Sequence, residues 1–331
     1  MKTTTLITTL CLLTLPLLCA NAQSTTGGKK VEKPINYVML QPDPIVGDWQ
    51  SDDGVVAQVY KKADGQYGAN LLSAFDTESN LIATLDGTSS ADGETFAGTD
   101  WNGTIKGSQF IVSHGDKQFN LSHVDRVSPT LGEKPPPGAV VLFDGSNLDA
   151  WAKKSGKDWL TESGPAQWKV VDGAIQIIPG NDSIITHQKF GDCHLHVEFR
   201  NICAPTKSAV FLETRYEVNI NESYGRLEGT TSGGLDNTSK DLAPRVRPSL
   251  PPLSWQTFDI DFTAPRFDAA GTKTAKAVMT VYLNGVKLVD HRELDAPFGA
   301  AGRLGEAPTG PIMLQDHTTP CQFRNIWLVP K

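Results

Sequence analysis

From about residue 46 onward the chain is written in short runs of alternating apolar and polar residues, broken by turn pairs. Val55–Tyr60 ends at Asp64-Gly65, Asn80–Leu85 at Asp86-Gly87, and Phe110–Val112 at Gly115. A side-chain period of two with Asp-Gly punctuation predicts β-strands and tight turns, and no helical period of useful length interrupts it. Residues 46–127 therefore read as a small all-β barrel or meander. Residues 128–138 hold the run Pro135-Pro136-Pro137. Consecutive prolines donate nothing to a ladder and favour an extended conformer, which predicts a stiff linker.

The pattern resumes at Val140–Phe143. Trp168–Val171, Asp172-Gly173 and Ala174–Ile178 read as a hairpin; so do Val278–Leu283, Asn284-Gly285 and Val286–Val289. Many strands over residues 139–331 predict an all-β, antiparallel jelly-roll sandwich. Within it, Gly225–Pro252, rich in Gly, Ser, Thr, Pro and Arg, reads as a long functional or mobile loop. One strand stands out. In His194–Arg200, Leu195, Val197 and Phe199 face one way, while His194, His196, Glu198 and Arg200 face the other. A sheet face so rich in titratable groups is either solvated or built to hold a polar ligand such as a sugar.

The first 22 residues change the picture of where the protein works. Lys2, the apolar run Leu6–Leu18 and Ala20-Asn21-Ala22 fit a cleaved export signal, followed by a flexible leader over 23–45. Lipid anchorage through Cys19 is the lesser alternative, because Pro16-Leu17-Leu18 lacks the small residue expected before a lipidated cysteine. The predicted location is periplasmic or extracellular, with no membrane span. A net charge of −7 argues against nucleic acid as a partner. Beyond the signal only Cys193, Cys203 and Cys321 remain. A strand running from Cys193 to Arg200 would carry Cys193 away from Cys203, which disfavours a bridge, and the spacing fits no zinc ribbon.

Taken in order, VLFDGSNLDAW, WKVVDGAIQI, ITHQKFGDCHLHVEFR, RYEVNINESYG, WQTFDIDFTAPRFD, LNGVKLVDH and GPIMLQDHTTPCQFRNIW resemble the 3-keto-disaccharide hydrolase (3-keto-glycoside lyase/hydratase) family over residues 139–330. The resemblance implies a concanavalin-like sandwich. It also implies cleavage of glycosides already oxidised at C3, by hydrolysis or by elimination and hydration. A ketone at C3 acidifies the C2 hydrogen, so such a site needs a base, donors or a cation at the enolate oxygen, and an acid near the leaving oxygen. The chain departs from the family at three places. Gly-Asn-Ser-Gly becomes Thr206-Lys207-Ser208-Ala209, and Tyr-Glu-Val-Gln-x-x-Asp becomes Tyr216–Glu222. The nearest counterpart of Ile-Tyr-Gly is Gly234-Leu235-Asp236.

The candidate catalytic residues are Glu198, Glu217 and His317; the candidate substrate-binding residues are Arg200, Asn219, Gln315 and Lys207. Glu198 reads as a base or metal ligand tuned by Arg200, or else as half of an ion pair on a wetted face. If its strand neighbours Tyr216–Asn221, Glu217 converges on it, and two carboxylates together imply a raised pKa or a divalent cation between them. The bland counterpart for Glu217 is a protective charge on an edge strand. His317 closes Met313–His317 at a sheet rim and suits general acid/base work, or a hydrogen bond to a loop carbonyl. Lys207 can replace a lost donor with a point charge. His194 and His196 diverge along one strand and form no metal triad with Glu198. Arg324 reads as paired and structural, with Phe323 and Trp327 in the core beside Trp151, Trp168 and Trp255. No phosphate loop, nucleophile elbow or dinucleotide fingerprint appears, so C3 oxidation falls to a partner, a sugar 3-dehydrogenase. The alternative to an enzyme is a lectin-like binding module on the same fold.

Overall fold

The computed structural model describes residues 35–62, 64–75, 81–90, 93–156, 158–226, 232–235, 248–298 and 301–331. The segment read as an export signal, Cys19 and most of the segment read as a long loop, including Asp236, lie outside them. Among the described residues the chain is all-β and antiparallel, and no helix is long and apolar enough to cross a membrane.

Strand β1 (Val38–Met39) lies within the leader. Eight strands follow, β2 (Gly47–Ser51), β3 (Val56–Lys61), β4 (Tyr67–Leu72), β5 (Leu81–Ser90), β6 (Gly93–Gly98), β7 (Trp101–Lys106), β8 (Gln109–His114) and β9 (Lys117–Val124), and they close into a barrel. Trp49, Leu71, Leu85, Phe96, Phe110 and Leu121 fill it. Each fully buried aromatic or leucine there contributes about 1.5–3 kcal/mol of burial. Asp86-Gly87 is not the turn its sequence suggests. It sits inside β5, where a Cβ on Gly87 would come within 2.8 Å of the Phe96 ring. Glycine there serves close packing of the barrel interior, not a reversal of the chain.

The second half supplies β10 (Val140–Phe143), β11 (Trp151–Lys154), β12 (Glu162–Pro165), β13 (Lys169–Val171), β14 (Ala174–Gln176), β15 (Ile184–Phe190), β16 (Cys193–Asn201), β17 (Cys203–Ala204), β18 (Lys207–Leu212) and β19 (Tyr216–Asn221). It continues with β20 (Gln256–Thr263), β21 (Arg266–Phe267), β22 (Lys273–Ala275), β23 (Ala277–Leu283), β24 (Val286–Leu294), β25 (Gly310–Leu314) and β26 (Cys321–Pro330). An eight-stranded sheet runs β13-β14-β26-β16-β20-β23-β24 with β10 beside β26; a six-stranded sheet runs β12-β11-β15-β25-β18-β19. Leu195, Val197 and Phe199 of one pack against Val210, Leu212 and Val218 of the other in a shared core. Both predicted hairpins form: Asp172 and Gly173 have φ of 50° and 73°, Asn284 and Gly285 of 53° and 77°, as a right-twisting two-residue turn demands.

Two connecting segments depart from expectation. The leader is anchored from residue 35, because β1 pairs with β17 and Leu40 N–H donates to Ile202 O. The proline-rich linker is no free spacer. Ser128 and Thr130 hydroxyls reach Thr257 Oγ1 at 2.6 and 2.8 Å, Thr130 donates to Asp259 at 2.7 Å, and Gly132 N–H donates to Glu198 at 2.6 Å. It is a strap laid on the outer face of the eight-stranded sheet. Cys193 and Cys203 sit beyond the two ends of the extended run His194–Asn201, and all three described cysteines are free thiols.

Candidate active site

The seven candidate residues divide between the two sheets, so the expected convergence of Glu198 with Glu217 does not occur. Strand β16 pairs with β20 and β26; β19 pairs with β18, in the other sheet. The core takes Val197 and Phe199 from β16, and Val218 and Ile220 from β19. By strand alternation Glu198 and Glu217 point away from that core in opposite directions.

On the eight-stranded side Glu198 and Arg200 belong to a network whose partners are already present. Glu198 accepts from Gly132 N–H, from Asn325 Nδ2 at 2.9 Å and from Arg324 Nε at 2.6 Å. Burial alone would raise its pKa, but His196, Asn325, Arg324 and Gly132 outweigh that and hold it at about 2. A carboxylate so held is a poor base at neutral pH. His196 Nδ1 lies 2.6 Å from Asp259 Oδ1, and its ring stacks on Trp327 at 4.9 Å. Burial pulls the imidazole down, yet Asp259 and Glu198 lift it to about 9, so it carries a proton at neutral pH.

A bulge where β26 passes Glu198 puts Arg324 and Asn325 on this face; Asn325 has a φ of 44°. The bulge also turns Trp327 outward, away from the expected core position, so that its Nε1 donates to Glu133 O at 3.3 Å. Trp255 likewise leaves the core: the Arg200 and Arg324 guanidiniums lie over its ring at 4.7 and 4.1 Å. A cavity of about 520 Å³ opens beside the strap, lined by Gly132, Glu133, Lys134, Glu198 and Arg324.

Five candidates, Glu217, Asn219, Gln315, His317 and Lys207, belong to the six-stranded sheet and its β25–β26 connection. Register lays its outer side chains out in rows. Ala152, Ile185, Met313, Phe211 and Glu217 form one row across β11, β15, β25, β18 and β19. Lys154 N–H donates to Ser183 O, and Gln315 N–H to Ala209 O. The adjacent row therefore runs Lys154, Ser183, Gln315, Ala209, Asn219. Lys207 faces Asn221 one row further on. An apolar stripe thus lies beside a polar row that carries small side chains at Ser183 and Ala209, and Trp159, Ala301 and Leu304 pack against Ile185, Ala209, Phe211 and Met313. Strand spacing puts the Gln315 and Asn219 backbones about 10 Å apart, with Ala209 between them.

The walls come from residues that alternation did not single out. Trp159 meets Phe211 edge-on at 6.3 Å, and both Lys154 Nζ and Arg303 lie over its ring, at 5.0 and 4.5 Å. Lys154 is buried and stands 3.8 Å from Asp182. The available signal was Trp151–Lys154 itself: a strand that buries Trp151 in the core and puts Ala152 and Lys154 on the other face.

Asp316, between Gln315 and His317, accepts Gly180 N–H at 2.7 Å and Thr318 N–H at 2.8 Å. That fixes the turn carrying His317. Asn219 is committed by its amide, since its backbone N–H and Nδ2 both donate to Gly234 O at 3.0 Å. Gln315 is the exception. Among the described residues its Oε1 is buried and accepts no hydrogen bond. Such an acceptor costs about 1–3 kcal/mol unless a ligand or water satisfies it.

Among the described residues this face holds no group of three His, Cys, Asp or Glu ligand atoms within 4.8 Å of one another. Among the described residues the group of three His, Asp or Glu ligand atoms within 4.8 Å of one another is Glu133, His196 and Asp259, on the opposite sheet. There the His196–Asp259 hydrogen bond already engages two of the three.

Residues 138–329, which carry both faces, match the 3-keto-alpha-glucoside-1,2-lyase-like domain. The chain belongs to that family. Membership makes it a carbohydrate-active protein of the lyase-like class. Among the solved structures that resemble it are three proposed glycosyl hydrolases from Parabacteroides distasonis. The first is 30% identical, covers 59% of this chain and 85% of its own, and has a TM-score of 0.48. The others are 17% and 19% identical, cover 59% and 58% of this chain and 94% and 99% of their own, and have TM-scores of 0.40 and 0.39. No curated protein matches this chain.

Proposed function

We propose that the protein cleaves 3-keto-glycosides on the outer face of the six-stranded sheet. The buried, unsatisfied Gln315 carbonyl, in a polar row beside an apolar stripe, is the observation that carries this choice of face. A sugar ring presents an apolar face and a rim of hydroxyls, and the two rows complement both. Glu217, beside Phe211, is the base that takes the C2 proton. Gln315, two strands from Glu217, serves the C3 oxygen and its neighbouring hydroxyl as negative charge develops, and Lys154, four strands from Glu217, meets the far end of the substrate. His317 gives a proton to the C1 oxygen as the C1–O bond breaks, releasing the aglycone and leaving a C1=C2 enone. Water adding across that double bond returns a 3-keto sugar. Asn219 and Lys207 flank the ring, and an upstream sugar 3-dehydrogenase would supply the ketone. The first 22 residues are the export signal of this scheme, so the mature protein begins at Gln23.

The test is aglycone release from a chemically prepared 3-keto-glucoside. Wild-type protein releases the aglycone, and the parent glucoside with an intact C3 hydroxyl stays whole. Glu217→Gln lowers kcat/KM by about 10²–10⁴-fold. Saturable binding of the keto sugar with no release would mean that the fold serves as a lectin-like module.

A further inference from the structure

The eight-stranded barrel carries none of the groups assigned above, yet it buries a polar row against the sandwich. Asp48, Gln58 and Asn70 are side by side on β2, β3 and β4, and all three are buried. They face away from the barrel interior, which takes Trp49, Ala57, Val59, Ala69 and Leu71 instead.

What covers them is the chain just past β19. Tyr224 donates its hydroxyl to Asp48 Oδ1 at 2.9 Å, and Asn70 Nδ2 donates to Gly225 O at 2.8 Å. Gly225 lies so close to Tyr60 that a Cβ would fall 2.4 Å from its ring. Asp48 Oδ2 accepts from Arg126 Nε at 2.7 Å, and Arg126 Nη2 donates to Ser249 O at 3.1 Å. One buried barrel carboxylate therefore holds the chain at Tyr224 and, through Arg126, again at Ser249.

From these two anchors a buried chain of hydrogen bonds leads to the candidate site. Ser223 Oγ accepts Ser249 Oγ–H at 3.2 Å and Ser232 N–H at 3.0 Å. Ser232 Oγ serves Asn221 on both sides, accepting its N–H at 3.0 Å and donating to its carbonyl at 2.8 Å. The next residues, Gly233 and Gly234, exchange three hydrogen bonds with Asn219.

We propose that the barrel is a positioning module for the sugar site, with Asp48 acting through Tyr224, Ser223 and Ser232 to fix Asn219 at the edge of the polar row. Asp48 never meets substrate. It sets where the residue that does can stand, which gives the first folded module a part in the proposed cleavage without chemistry of its own.

The decisive variant is Tyr224→Phe, which removes one hydroxyl from the sandwich side and leaves the barrel strands untouched. Asp48→Asn is its partner from the barrel side. Hydrogen exchange is read by mass spectrometry on peptides covering 216–226 and 248–252, with the barrel strands as internal reference. Loss of a hydrogen bond to a buried charge should speed exchange in those peptides by about tenfold, with β7 and β8 unchanged. The kinetic arm rests on the proposed cleavage: KM for the 3-keto-glucoside rises about tenfold while kcat stays within about twofold. Unchanged exchange in both variants overturns the positioning role; so does faster exchange with unaltered kinetics in an active enzyme. If wild-type protein releases no aglycone, the cleavage assignment fails, and the exchange arm still judges the barrel's hold on Tyr224 and Ser249.

Discussion

The two outer faces of the sandwich carry similar groups and use them differently. Each offers a glutamate, a basic side chain and a histidine. On the eight-stranded sheet the strap supplies the missing partners: Gly132 for Glu198, Thr130 for Asp259, the Glu133 carbonyl for Asn325 and Trp327. On the six-stranded sheet Trp159, Ala301 and Leu304 pack over the apolar stripe, but among the described residues the acceptor of Gln315 is left open. Titratable residues on a strand face therefore say only that the face is not dry. Whether they work on a ligand depends on whether another part of the chain has already satisfied them.

The sharpest way to break this contrast is on the open side. Lys154→Met keeps the length of a buried side chain and removes its charge. It should cut kcat/KM for 3-keto-glucoside cleavage by about 10–10²-fold, the cost of losing one charged hydrogen bond to substrate. Steady-state kinetics check it, and a loss below threefold would remove Lys154 from the site. On the strapped side, Glu198→Gln takes one partner from a buried charge cluster. Because the Arg324 side chain stays 36% exposed, the loss is discounted to about 2 kcal/mol of unfolding free energy. Denaturant titration measures it.

A smaller effect comes from pH. Glu198 titrates at about 2 in the fold against an ordinary 4.5, so its stabilisation is complete above pH 4.5 and is lost as pH falls toward 2. His196 titrates at about 9 against 6.5, so its contribution is complete below pH 6.5 and is lost as pH rises through 9. The strap network thus stabilises most between pH 4.5 and 6.5. The melting temperature of wild type should fall between pH 6.5 and 9 more steeply than that of His196→Gln. Parallel alkaline limbs would show that the imidazole does not hold Asp259 and Glu198 as described.

Much of the fold was legible in the sequence because strand period and turn chemistry are local. Asp172-Gly173 and Asn284-Gly285 specify their hairpins through two dihedrals each. What could not be read was non-local. Alternation correctly put Glu198 opposite Val197 and Glu217 opposite Val218, but it says nothing about which sheet a strand joins. With β16 and β19 in different sheets, the same alternation sends the two carboxylates apart. Trp327 was misplaced for a related reason. A one-residue bulge at Arg324-Asn325 reverses the facing of everything after it, and a run of sequence carries no mark of that extra residue. Lys154 was passed over because a lone lysine after a core tryptophan looks like a solvated charge until Trp159 covers it.

The central claim is that the two faces divide the work, one holding the chain together and the other holding a sugar. It is tested most directly by measuring Glu217→Gln and Glu198→Gln side by side, each for aglycone release from a 3-keto-glucoside and for denaturant stability. The expected result is crossed. Glu217→Gln loses about 10² or more in kcat/KM with stability within about 1 kcal/mol of wild type, and Glu198→Gln loses stability with kcat/KM within about threefold. If Glu198→Gln abolished release in a protein that stayed folded, while Glu217→Gln turned over normally, the division of labour drawn here would be reversed.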